Sequence, residues 1–205
     1  MPRGIALALL LPLAALPAAA QPPPTRGAHD PDWPCVQRLV PRLAATALWP
    51  GPVPEERGEW RAAPEVAALV GRIAPRAVPE ADGVAAIEAF TAPLEPPARR
   101  RLLPLAFAGA LEETNRQRYA VIEQIRRFTR RQRELAERVR DLEAELRAMP
   151  TEAPERAELE QRHAFAARAF VEAERTVRYA CEAPVQLEGR LGAYARALRA
   201  ALPAE

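Results

Sequence analysis

Between Phe107 and Ala201 the chain carries two long series of mainly apolar residues at alternating spacings of four and three. The first is Phe107, Leu111, Thr114, Arg118, Val121, Ile125, Phe128, Gln132, Leu135, Val139, Leu142, Leu146 and Met149, ten of them apolar. The second is Leu159, His163, Ala166, Phe170, Ala173, Val177, Ala180, Pro184, Leu187, Leu191, Tyr194, Leu198 and Ala201. Runs this long at that spacing are coiled-coil seams. Pro150-Thr151-Glu152-Ala153-Pro154 lies between them and reverses the chain. Folding there sets each seam residue against the one whose number is 305 minus its own, so Val139 faces Ala166, Ile125 faces Ala180 and Phe128 faces Val177. The expected fold is all-α: a long antiparallel two-helix coiled-coil hairpin over 97–205 with short N-terminal helices packed at its base.

Composition agrees with close helix packing. Aromatic residues make up 5% of the 205 residues, and no stretch alternates as a strand for long. Net charge is +2, which implies no polyelectrolyte partner. The chain contains no serine, which excludes a serine nucleophile.

The N-terminus reads as a targeting segment. A basic start at Met1-Pro2-Arg3 precedes an apolar run from Ile5 to Leu16, too short to span a bilayer, and then Ala18-Ala19-Ala20. Residues 1–20 are read as a signal peptide cleaved near Ala20, and 21–31 as a Pro-rich disordered leader. The expected location is periplasmic or secreted, with no membrane span after cleavage. Export disfavours ATP-driven and nucleic-acid functions.

Two cysteines remain, Cys35 and Cys181. An even count in an oxidising compartment, without Cys-x-x-Cys spacing, argues a structural disulfide rather than a redox pair. From Trp33 onward the reading is a short helix to about Val40, an apolar turn from Leu43 to Trp49, a helix from Pro64 to about Ile73 and another from Pro79 to about Thr91. The long helix starts at Pro96-Pro97, with Pro104 kinking it or postponing its regular part. Pro184 reads as a mid-helix bend. These N-terminal pieces at 32–96, with Trp33, Trp49 and Trp60 as one cluster, must bury against residues 98–125 and 178–202. Nothing remains to cover 128–175, which should project as an arm about 35 Å long.

Charges segregate along that arm. Arg126, Arg127, Arg130, Arg131 and Arg133 crowd its root, where the register places Arg131 near Glu174 and Arg133 near Glu172. Asp141, Glu143, Glu145, Glu152, Glu155, Glu158 and Glu160 outnumber Arg147 and Arg156 at its tip. Such runs are usually solvated faces with helical pairs. As candidate partner-binding residues they give Arg126, Arg127, Arg130, Arg131, Glu143, Glu145, Glu152 and Glu155. His163 sits on the seam opposite Leu142, but His29 is the chain's other histidine, and a metal site needs three or four ligands. No cofactor or metal is implied.

The blocks Asp-Trp-Pro-Cys-Val-Gln-Arg at 32–38 and Tyr-Ala-Cys-Glu-Ala-Pro-Val at 179–185 resemble those of a group of exported, uncharacterised bacterial α-helical proteins. The resemblance brings no activity and no site residues. The functional expectation is a non-catalytic exported scaffold or adaptor that binds another envelope protein through a coiled-coil arm. The alternative is an exported thiol-disulfide or metal-dependent factor using Cys35, Cys181 or His163.

Overall fold

The structure, a computed structural model, describes residues 30–53 and 58–203. The expected signal peptide, its expected cleavage near Ala20 and residues 21–29 of the expected leader lie outside the described residues. The fold is all-α: 74% of the described residues are helical, and no strand occurs among them. Helix α1 spans Pro64–Ile73, α2 Glu80–Thr91, α3 Pro96–Ala148, α4 Arg156–Ala180 and α5 Glu182–Ala200.

Proline sets the starts. Pro64 and Pro96 occupy the first turns of α1 and α3, where a missing N–H leaves no helical acceptor unfilled, and Pro79 stands just before α2. Helix α3 is one 53-residue element that runs through Pro104, so its regular part is not postponed. Pro184 is not mid-helix. The chain breaks at Cys181, which ends α4 and starts α5, and Pro184 falls in the first turn of α5, where no intrahelical bond is lost.

Apolar residues sort into three clusters. In the largest, α1 contributes Val66, Leu69, Val70 and Ile73, α2 Ile87, α3 Leu102, Leu103, Ala106 and Phe107, and α5 Leu191, Tyr194 and Leu198. Trp49 caps it, stacked on Phe107 with centroids 4.9 Å apart, and Trp60 joins it. Trp33 instead belongs to a second cluster with Cys35, Val121, Ile122, Ile125 and Leu187, so the three tryptophans do not form one group. The third joins Leu142, Leu159 and Ala166 with Val139, Leu146 and Met149. None of the residues in the two seam series is exposed, although in the stretch of α3 after Thr129 only Leu142 is fully buried.

Residues 34–40 are not helical. With Pro34 and Pro41 at its ends, the segment instead lies along α3 and the α4–α5 junction, held by hydrogen bonds with distant groups. The Gln37 side chain donates to the Cys181 carbonyl at 2.5 Å, and Arg118 Nη2 donates to the Val40 carbonyl at 2.8 Å. Asn115 pairs with Leu43 twice, accepting from its N–H at 2.8 Å and donating to its carbonyl at 3.1 Å. The apolar turn shrinks to a single 3-10 turn at Ala45–Ala47. We call residues 31–49 the strap.

The close contact between α2 and α5 depends on glycine. A Cβ on Gly83 of α2 would come within 2.1 Å of the hydroxyl of Tyr194 of α5, which donates to the Ile73 carbonyl at 3.2 Å. A Cβ on Gly189, in mid-α5, would meet nothing within 4 Å. Gly83→Ala is therefore expected to destabilise by about 1–3 kcal/mol through overpacking. Gly189→Ala should stabilise by up to about 1 kcal/mol through helix propensity. Urea denaturation of the two variants reads both signs, and equal shifts would remove the α2–α5 contact from the account.

Candidate functional site

Three attachments hold the base from which α3 and α4 continue together. The first is covalent: Cys35 and Cys181 are disulfide-bonded with Cα atoms 5.5 Å apart, tying the strap to the α4–α5 break. The second is Arg118, which stands in the apolar series yet is almost fully buried. Its guanidinium donates to the carbonyls of Pro184 at 2.6 Å and Val40 at 2.8 Å and lies 3.6 Å from Glu188, so one cation bridges strap, α3 and α5. Burial pushes its pKa down, and the Glu188 charge partly offsets that. The third is Arg190, also buried. It donates to the carbonyls of Ala74 at 3.0 Å and Pro75 at 2.9 Å, where Gln117 adds a 2.8 Å bond to Ala74. A cation and an amide thereby satisfy the orphan carbonyls at the end of α1.

Two carboxylates fasten the N-terminal part to α3. Asp32 accepts from Arg130 at 2.6 Å and from Arg133, and Arg133 also donates to the Pro31 carbonyl at 2.9 Å. Pro31, read as leader, is thus held against α3. Hydrogen bonds from Arg130 and Arg133 hold the Asp32 carboxyl below its ordinary pKa. Glu112 accepts from the Gly58 N–H at 2.9 Å, Trp60 Nε1 at 3.1 Å and Arg61 at 2.8 Å. Burial would raise its pKa, but these three bonds outweigh it and the net shift is downward.

Both pKa values are depressed in the folded state, so their contribution is complete above the unfolded values, about 4 for each. It is lost as pH falls through the still lower folded values. Acidification from neutrality should therefore leave stability level until about pH 5 and then lower it, and Asp32→Asn or Glu112→Gln should each flatten part of the loss. Denaturation midpoints taken between pH 7 and 2 measure this. A loss that begins near pH 7 would contradict the assignment.

The candidate partner-binding residues divide. Arg130 is engaged by Asp32, Arg126 pairs with Glu123 at 2.5 Å, Arg131 with Glu134 at 3.3 Å and Glu143 with Arg147 at 3.0 Å. Arg131 and Arg133 do not reach Glu174 and Glu172, which instead take Arg178 and Arg175 on their own helix. Short helical spacing wins because no chain reversal has to be aligned. Arg127, Glu145, Glu152 and Glu155 are exposed and have no charged partner among the described residues. Arg156 closes the turn, donating to the Leu146 carbonyl at 3.1 Å and the Met149 carbonyl at 3.0 Å at the end of α3. His163 is half-buried on the seam, and no group of three or more His, Cys, Asp or Glu side chains converges among the described residues.

The reading from sequence missed both buried arginines. Arg118 had left a signal, a charge inside an apolar series; Arg190, off the series, had left none. No described helix is long and apolar enough to cross a membrane. Comparison with protein-family models, with curated proteins and with solved structures finds no match.

Proposed function

We propose that the chain is an exported, non-catalytic helical scaffold or adaptor that binds another envelope protein through a coiled-coil arm formed by α3 and α4. One observation carries this reading. The N-terminal strap and helices α1 and α2 enter two apolar clusters, both on α3 up to Ile125 and on the α4–α5 side from Ala180 onward. The third cluster, from Val139 to Ala166, draws on α3, α4 and Met149 of their connecting turn alone. A two-helix pair covers one stripe of each helix and leaves the rest as surface. The disulfide supports an oxidising compartment, in line with the apolar run at the N-terminus. The contacts of Arg156 with Leu146 and Met149, and of Arg118 with Pro184 and Glu188, support the 305 register.

Deleting 132–145 together with 160–173 removes two whole heptads from each helix, mirrored about that register, so the seam rejoins in phase. The shortened protein is expected to stay helical and disulfide-bonded yet to lose the envelope protein that the full chain retains in pull-down. Retained binding by the folded, shortened protein would move the function to the base.

A further inference from the structure

A hollow of about 200 Å³ opens where α4 gives way to α5. Its lining comes from both sides of the break at Cys181, from α3 and from the α1–α2 connection. Val121, buried, and Phe128 and Ala180, half-buried, give it an apolar wall. Tyr179 completes that wall and is 77% exposed, an aromatic side chain outside every apolar cluster. Two opposite charges also line the hollow. Arg76 and Glu182 are exposed, are not paired with each other and have no ion-pair or hydrogen-bond partner among the described residues. Yet the backbone that carries each is fixed. Buried Arg190 donates to the carbonyls of Ala74 at 3.0 Å and Pro75 at 2.9 Å, and so pins the chain one residue before Arg76. The disulfide and the bond from Gln37 to the Cys181 carbonyl pin it one residue before Glu182. Side chains on a fixed backbone whose charges are left unmatched are what a preorganised site offers a ligand.

We propose that this hollow binds a free amino acid with a large apolar side chain. The α-carboxylate goes to Arg76, the α-ammonium to Glu182, and the side chain to the wall of Val121, Phe128 and Tyr179. Each part of the ligand answers one feature of the lining. A simple carboxylate would meet Glu182 as well as Arg76, and a simple amine would meet Arg76 as well as Glu182. A small molecule that carries both charges matches both. A guanidinium and a carboxylate each form charge-assisted hydrogen bonds with such a ligand. Size sets the upper limit. The hollow is smaller than the roughly 300–1,000 Å³ of sites for drug-sized ligands and larger than a cavity of about 150 Å³ that admits benzene. It therefore suits one amino acid rather than a peptide. The apolar wall favours a large apolar side chain over a polar one, because burying that surface on both partners is favourable. The site lies at the root of the arm and goes beyond the adaptor reading, on which it does not depend.

The test is a ligand-observed NMR titration of the whole protein with L-phenylalanine, N-acetyl-L-phenylalanine and L-phenylalaninamide. The second compound lacks the ammonium group and the third lacks the carboxylate. Phenylalanine should bind saturably and at least roughly tenfold tighter than either analogue. Arg76→Ala should leave phenylalanine no tighter than its amide, and Glu182→Gln should leave it no tighter than the acetyl derivative. Tyr179→Ala should weaken all three. These positions are exposed, so circular dichroism should be unchanged in each variant. No saturation by about 10 mM phenylalanine overturns the inference. So does equal binding of the three compounds, a preference that survives either charge substitution, or binding that is indifferent to Tyr179→Ala.

Discussion

Replacing Cys35 and Cys181 together with alanine is expected to lower stability by up to about 5 kcal/mol. The two residues are 146 apart, so the bond closes most of the described chain into one loop, and chain-entropy stabilisation grows with the logarithm of loop length. The strap needs that restraint. It contributes Trp33 and Cys35 to the second cluster and Trp49 to the first, and between them hangs on the hydrogen bond from Gln37 to the Cys181 carbonyl and on those with Asn115 and Arg118. Breaking the disulfide leaves those bonds and the burial of Trp33 and Trp49 to hold about twenty residues whose ordering each costs on the order of 1–2 kcal/mol. The double variant should therefore show a lower denaturant midpoint and fast hydrogen exchange at Leu43, while α3 stays helical. An unchanged midpoint would mean that the strap is held by its noncovalent contacts alone.

Phe107→Ala should cost about 3–5 kcal/mol, the usual range for emptying a buried aromatic site. Phe107 is fully buried beneath Trp49 and amid residues of α1, α3 and α5, which cannot all collapse inward. Leu135→Ala at an equivalent seam position should cost roughly 1 kcal/mol, because Leu135 is half-buried and half of its transfer free energy is at stake. Trp49 emission should shift to the red in the first variant and not in the second. Equal losses would show that the seam at Leu135 is covered as well as the first cluster, against the division between base and arm.

The heptad series made α3 and α4–α5 legible, because every third or fourth residue had to be apolar for two helices to share a seam. Prolines 64, 79 and 96 gave the starts of the flanking helices almost to the residue. The strap was illegible for a matching reason. Its conformation is set by acceptors and donors roughly 70 to 145 residues away, at Asn115, Arg118 and Cys181, and no local pattern reports such partners. Pro34 and Trp33 resembled a helix start, yet Trp33 Nε1 donates to the Gln37 carbonyl at 2.8 Å within a non-helical turn. Arg130 looked like surface for a partner and Arg133 like a neighbour of Glu172, because Asp32, which takes both, stood in a segment read as the start of a helix. Arg76 and Glu182 were overlooked as the lining of one hollow because they lie off the seam, and the periodic pattern drew attention to the covered stripe alone.

The claim that another protein is engaged by the arm is tested most directly by photocrosslinking in intact cells. A photoreactive residue is placed singly at Glu145 or Arg168 in the arm, or at Arg72 or Glu88 on the base, all exposed positions. The account predicts a discrete adduct with an envelope protein from an arm position and none from Arg72 or Glu88. Adducts from the base positions, with the arm positions silent, would contradict it.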